Sequence, residues 1–273
     1  MEPAVGGAPA GDGTRPPLDL GAPIVVTGRG GSGTRLFSKL LQQLQVDLGN
    51  DINHTEDSVE WVDVIYRLAI AKLSGSPAPD AADALRANAT AVAGHRRGRH
   101  WGWKLPETVL LLPEVAAAFE RCRIVHVTRH PLDTCLRRTH MTSRPNNRIG
   151  QAVLGAAYAA LGWARDPAAD PEHVCNAAAW WFQVREAHAF LASLPGTRAI
   201  TVRYESLCDA PDETAARIAR FVGVGQVPVC LDIDRSRRRL WSGGDPRIAE
   251  VWGICGDVAQ ALGYRADGST SDE

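Results

Sequence analysis

The chain has 273 residues, a formal net charge of −1, 45% hydrophobic and 22% charged side chains, the balance of a soluble globular protein long enough for one large α/β domain. Near-neutral charge argues against a nucleic-acid-binding domain, and no apolar run approaches the roughly 18 residues of a membrane span. The six cysteines are scattered without CxxC or metal-ligand spacing, so they read as buried thiols of a cytoplasmic protein.

Residues 1–22 are rich in Gly, Ala and Pro and lack the basic start and apolar core of a signal peptide. They read as a disordered leader to a single domain over 23–265, with 266–273 as a polar tail. Ile24 to Val26 is an apolar run suited to a buried strand, and Leu36, Phe37, Leu40, Leu41 and Leu44 recur at helical spacing. Between them lies Thr27-Gly28-Arg29-Gly30-Gly31-Ser32-Gly33-Thr34-Arg35. Glycines bring successive N–H groups close to an anion, and the following helix N-terminus adds partial positive charge, together about 0.3–2 kcal/mol. Charge-assisted bonds from Arg29 or Arg35 add about 1.5–3 kcal/mol each, so the loop is a phosphate or sulfate site. Gly28 and Gly33 keep the GxxxxG spacing of a nucleotide-triphosphate loop, but Thr34 and Arg35 stand where Lys and Ser/Thr should grip phosphate and magnesium. That demotes a kinase or NTPase reading.

The polar connection 47–57 holds Asp51 and His54, and Asp57 with Glu60 has capping-box spacing ahead of a helix carrying Val62, Ile65, Leu68 and Ala69. Segment 74–94, with two prolines, reads as a surface loop with at most a turn of helix. The basic runs 95–100 and 235–239 suit local anion sites. His100 to Leu105 predicts a short strand stopped by Pro106, with the polar motif Lys104 to Thr108, Glu107 included, at its end and a helix near 112–121 after it. Arg123 to Thr128 is another strand, with His126 as a packed core histidine. It is followed by Arg129-His130-Pro131-Leu132-Asp133, where the proline opens a helix that Asp133 would cap.

Residues 144–170 read as helices and loops laid over the site, and 174–194 as a long helix containing Trp180 and Trp181. Those tryptophans, with Trp101 and Trp103, either wall an acceptor pocket or pack the core. A strand over 197–203 leads into Tyr204 and Glu205, Pro211 opens a helix that Gly223 closes, and a last helix spans 248–262 before Gly263. Strands alternating with helices predict a three-layer α/β/α fold around a parallel sheet, whose ligands bind at the carboxyl ends of the strands. Arg29, Arg35, Lys104, Arg129 and Tyr204 then converge on one rim.

The Ser32-Gly33-Thr34 turn after a strand resembles the 5′-phosphosulfate loop of sulfotransferases that use 3′-phosphoadenosine 5′-phosphosulfate (PAPS) and release 3′,5′-ADP. Arg129-His130-Pro131-Leu132-Asp133 resembles their 3′-phosphate segment, and Tyr204-Glu205-Ser206-Leu207 with Pro211 and Phe221-Val222-Gly223 is similar to their adenine-side region. The resemblance implies donor contacts by Arg29, Gly30, Gly31, Ser32, Gly33, Thr34, Arg35, Arg129 and Tyr204. Arg137 stands where the family has a serine, and Arg237 and Arg238 stand near its terminal basic segment. Gly31 occupies the family's usual Lys/Arg position, so Arg29, Arg35 or Lys104 must supply that charge. The resemblance further implies a metal-free transfer to a small-molecule, glycan or natural-product hydroxyl, with Lys104 at the leaving oxygen and Glu107, His54 or Asp51 as base. No nucleic-acid partner is expected, and the oligomeric state is left open, a homodimer included. The competing readings are an atypical small-molecule kinase and a non-catalytic nucleotide-binding module.

Overall fold

The computed structural model describes residues 19–77, 79–93, 100–225, 228–239 and 241–270. Its centre is β1 (Ile24–Thr27), which pairs with β3 (His100–Lys104) on one side and β4 (Arg123–Thr128) on the other. The two-residue β2 (Val46–Asp47) lies outside β3, and β5 (Ala199–Arg203) lies outside β4, giving the order β2-β3-β1-β4-β5 with every pairing parallel. Because side chains alternate across a strand, Ile24 and Val26 enter one core while Val25 enters the other, and Val125 and Val127 part from Ile124 in the same way. That alternation makes the three layers.

The layer under Ile24 and Val26 holds α1 (Thr34–Gln43), α8 (Tyr204–Asp209) and α9 (Pro211–Val222), the last closed by Gly223 at φ 72. The opposite layer holds α2 (Val62–Leu73), α3 (Ala81–Ala93), α4 (Leu112–Ala118), α6 (Arg148–Ala160) and α7 (Glu172–Ala192). Beyond the strand ends, α5 (Pro131–Cys135) and α10 (Arg247–Ala261) close on α7 around Leu132, Trp180, Val251 and Tyr264. No helix among the described residues is long and apolar enough to cross a membrane.

Several expectations are corrected. Segment 74–94 is no loop: α3 buries Leu85 and Ala89, one turn apart, in an alanine-rich run that follows the prolines. The tryptophans are core: Trp61 stacks on Trp103 with ring centroids 3.8 Å apart, Trp101 adjoins them, and Trp180 is fully buried. Asp57 does not cap a helix, since Ser58 precedes the short 3₁₀ turn Val59–Trp61 and the Asp57 carboxylate turns to Lys104. The cap of α5 is His130 Nδ1, which accepts from the Leu132 amide; Asp133 instead accepts from the Arg239 amide. Residues 264–270 turn back, with Tyr264 bridged to Thr270 and its hydroxyl 2.7 Å from Thr128 Oγ1. Residues 1–18, 94–99 and 271–273 lie outside the described set, and with them most of the leader and of the first basic run, while the leader's end is held where Trp101 Nε1 donates to Asp19 O at 2.8 Å.

Candidate active site

The parallel register sets Lys104 beside Val26, Thr27 beside His126 and Thr128 beside Arg203, so the motifs after β1, β3, β4 and β5 emerge on one edge. At its middle, Gly33 begins α1 in the left-handed region, at φ 89, with no side chain capping the helix and no acidic residue in its first turn. The first N–H groups of α1 and their partial positive charge are therefore left for an anion. Ser32 Oγ is buried beside them without a hydrogen-bond partner among the described residues.

Arg29 lies beneath this turn, 1% exposed. It donates from Nη1 to Gly30 O at 2.7 Å and from Nη2 to Ser143 Oγ at 2.9 Å and Asn176 Oδ1 at 2.8 Å. All three partners are neutral, and burial pushes its pKa below the ordinary arginine value. A buried cation held by neutral acceptors is a costly arrangement that a bound anion relieves.

Lys104 is nearly buried; its Nζ donates to Thr55 O at 2.9 Å and to Asp57 Oδ1 at 2.5 Å. Burial lowers its pKa, against the pull of Asp57, while nearby Arg35 lowers it further. Arg35 itself is exposed, as is Gly31. Glu107 is the second residue of the 3₁₀ segment Pro106–Leu111 that packs on the end of β1, where Thr27 Oγ1 donates to Pro106 O at 2.9 Å. Burial raises the Glu107 carboxyl to about 7, with Asp57 adding to the rise. Its neighbours include the Tyr66 hydroxyl, whose oxygen lies 2.9 Å from Met141 Sδ, and His140, whose Nε2 is 3.8 Å away. The His140 ring covers Gly30 so closely that a Cβ there would lie 2.0 Å from it.

On the other flank, the Tyr204 ring presses on Gly33, and the Arg129 guanidinium sits 4.3 Å over that ring. The tyrosine thus bridges the glycine turn to Arg129, and this face is taken by a cation rather than left for a base. Arg129 also reaches Asp133 at 3.5 Å, and Trp180 Nε1 donates to Arg129 O at 3.3 Å. Glu205 accepts from the His130 amide at 3.0 Å and from the Tyr264 hydroxyl at 3.3 Å, tying the two motifs together.

Of the residues expected from sequence, the edge gathers Arg29, Gly30, Ser32, Gly33, Thr34, Lys104, Glu107, Arg129 and Tyr204, with Gly31 and Arg35 at its exposed rim. It does not gather Asp51 or His54. Asp51 and His54 are exposed, and the acid of their connection that reaches Lys104 is Asp57. Arg137 is exposed in the turn after α5, Arg238 pairs with Asp209, and the Arg237 side chain lies outside the described set. Sequence reading missed Asp57, Tyr66 and His140. Only Asp57 carried a signal, an acid in the polar connection before a helix, and its spacing to Glu60 pointed elsewhere.

A glycine turn at an uncapped helix N-terminus, a buried lysine and arginines on one strand edge give this α/β protein an edge suited to anions. Residues 23–227 match the sulfotransferase family, and the chain belongs to that family. Membership supports an enzyme with sulfotransferase activity. Among solved structures the chain is similar to the sulfotransferase domain from the curacin biosynthetic pathway, at 14% identity and TM-score 0.54 over 92% of this chain and 99% of that one. A sulfotransferase from Alicyclobacillus acidocaldarius gives 13% identity and TM-score 0.51, covering 87% and 94%. One from Mycobacterium avium gives 10% and 0.55, covering 90% and 78%. At such identities the likeness shows the fold. No curated protein matches the chain.

Proposed function

We propose that the chain moves the sulfuryl group of PAPS to a hydroxyl of a small-molecule acceptor and releases 3′,5′-ADP. The observation that carries this reading is the unbroken row from Lys104 through the Ser32-Gly33-Thr34 turn and Tyr204 to Arg129 on one sheet edge. The turn and Arg29 would hold the 5′ end of the donor, and Arg129, beyond the width of a tyrosine ring, its 3′-phosphate. Such spacing suits a donor with anions at both ends of its ribose, and arginine is the side chain that grips phosphate in two bonds.

In the step itself, the acceptor O–H gives its proton to Glu107, whose carboxyl is poised at about 7. The acceptor oxygen forms a bond to sulfur as the bond from sulfur to the bridging 5′-phosphate oxygen breaks. The electron pair leaves on that oxygen, where the Lys104 ammonium receives the charge. Asp57 holds Lys104 by its carboxylate until the donor offers a better partner.

The test is incubation with PAPS and a panel of phenols, sugars and aliphatic alcohols, read as 3′,5′-ADP release, beside a thermal-shift comparison. Saturating 3′,5′-ADP at a hundred times its Kd should add about 2.7 kcal/mol, a rise of roughly 5–11 °C, whereas ATP with magnesium should add little. The reading fails if neither turnover nor a shift with 3′,5′-ADP is seen.

A further inference from the structure

The base of this site does not stand alone. His140 follows α5 in the loop leading to the 3₁₀ turn Met141–Ser143, and its imidazole is clamped from several sides. Nδ1 accepts from the Thr142 backbone amide at 3.4 Å and lies 3.1 Å from Thr142 Oγ1. An amide N–H can only donate, so Nδ1 is the bare nitrogen and the ring proton sits on Nε2. That Nε2 faces Glu107 Oε1 at 3.8 Å, a gap that closes with a small rotation of either side chain when a site tightens on its substrate. The opposite constraint comes from Gly30: the ring occupies the space where any Cβ would stand. His140 therefore packs its face on the donor loop and turns its N–H toward the carboxyl.

We infer that His140 is a positioning residue: its Nε2–H holds the Glu107 carboxylate in the orientation that receives the acceptor proton, and its packing on Gly30 ties that orientation to the donor loop. The inference rests on the reading of Glu107 as the proton acceptor. His140 is not itself the base. Burial first, then Arg29, Arg138, Arg144 and Lys104, push its pKa down to about 3, which leaves a neutral imidazole too weak to take the proton. The groups facing Glu107 are Lys104 from β3, Asp57 from the connection before α2, Tyr66 from α2 and His140 from its own loop. Of these, Asp57 destabilises the carboxylate by its charge, whereas Lys104 by its charge and Tyr66 by its hydroxyl favour it. The imidazole adds a neutral donor that favours the carboxylate without competing for its proton.

Removing this donor should make Glu107 harder to ionise, so the acid limb of the pH profile of kcat/KM should move to higher pH. For His140→Phe, which keeps a ring on Gly30, the expected shift is about one pH unit, a loss of about tenfold below neutrality. His140→Gln, which restores an N–H donor, should recover most of that loss. Gly30→Ala, which pushes the ring with a methyl at 2.0 Å, should shift the limb in the same direction as His140→Phe. Binding of 3′,5′-ADP by calorimetry should stay within about twofold for both His140 variants, because the imidazole contributes no charge to the donor. An unchanged acid limb in His140→Phe overturns the inference, as does a His140→Gln variant no better than His140→Phe. Glu107→Gln separates the two readings. If it keeps wild-type activity and the acid limb, the assignment of Glu107 fails and this inference with it; if it is inactive while His140→Phe is unaltered, only the inference fails.

Discussion

The contact between Gly33 and Tyr204 gives the most direct test of how the site is built. Gly33 sits at φ 89 and ψ 15, and a Cβ there would lie 2.2 Å from Tyr204 Cδ2 and 2.7 Å from Cε2. Alanine at such a left-handed position costs about 1–2 kcal/mol in backbone strain alone. Carbon atoms pack at about 3.5–4.0 Å, so the ring must also retreat by more than an ångström. Tyr204 is 6% exposed and lies under the Arg129 guanidinium, so retreat disrupts a desolvated cation–π contact of about 1–2 kcal/mol. Gly33→Ala should therefore cost about 2–4 kcal/mol, which for a domain of this size lowers Tm by roughly 4–16 °C.

Calorimetry gives the Tm, and a cycle with Tyr204→Ala separates the two parts. With no ring to displace, the clash vanishes and only the strain remains, so the two substitutions should couple by about 1–2 kcal/mol. The same Gly33→Ala variant should bind 3′,5′-ADP more weakly, since the turn and Arg129 move apart. A Gly33→Ala protein with wild-type Tm and affinity would refute the reasoning, and additivity in the cycle would refute the steric part of it.

Lys104→Met should lower kcat/KM by about 10²–10³-fold while changing the affinity for 3′,5′-ADP far less, because the ammonium acts on charge that develops during transfer; a loss below threefold would remove it from that role. Glu107, raised to about 7 from 4.5, stays protonated in the folded chain where the unfolded chain has ionised. Its contribution to stability should consequently fall by about 3 kcal/mol as pH rises from about 4.5 to 7, and the difference between wild type and Glu107→Gln in urea unfolding should carry this slope. His126 does the reverse. Burial lowers it to about 4, so its contribution is complete above pH 6.5 and is lost, by about 3 kcal/mol, as pH falls toward 4. His126→Leu should be the flatter protein on the acid side, and equal acid sensitivity in both would contradict the assignment. Because the two slopes oppose each other, each is best read against its own variant.

What the sequence disclosed was local. The alternation of Ile24, Val25 and Val26, the glycines before Leu36 and Phe37, and Pro131 at the start of a helix are signals carried within a few residues, and each yielded its element. The α3 helix escaped because its prolines and glycine weighed more in a compositional reading than the Leu85–Ala89 pair that anchors it. The site was legible only where a strand end placed it. Lys104 ends its strand and Arg129 and Tyr204 directly follow theirs, so a parallel sheet suffices to bring them together. Asp57 reaches Lys104 across 47 residues, and His140 reaches Gly30 through a loop that no period or motif marks. Acids before a helix have two uses, capping and pairing, and only the third dimension decides between them.

The same logic bears on the residue absent from the glycine turn. Where the family resemblance expects a Lys or Arg, this chain has Gly31, and three side chains competed to supply the charge. Arg35 is exposed and Lys104 is engaged by Asp57, whereas Arg29 Nη1 lies 3.4 Å from the point where a Gly31 side chain would begin. A Cβ at Gly31 would meet that guanidinium at ordinary contact distance, and it is the backbone, at φ 91, that favours glycine there. On the function proposed above, the exchange is a relocation: the cation would enter from two residues upstream, beneath the turn instead of beside it, held by Ser143 and Asn176. A charge held this way loses little side-chain entropy when an anion arrives, which makes Arg29 the best placed of the three to stand in for the missing residue.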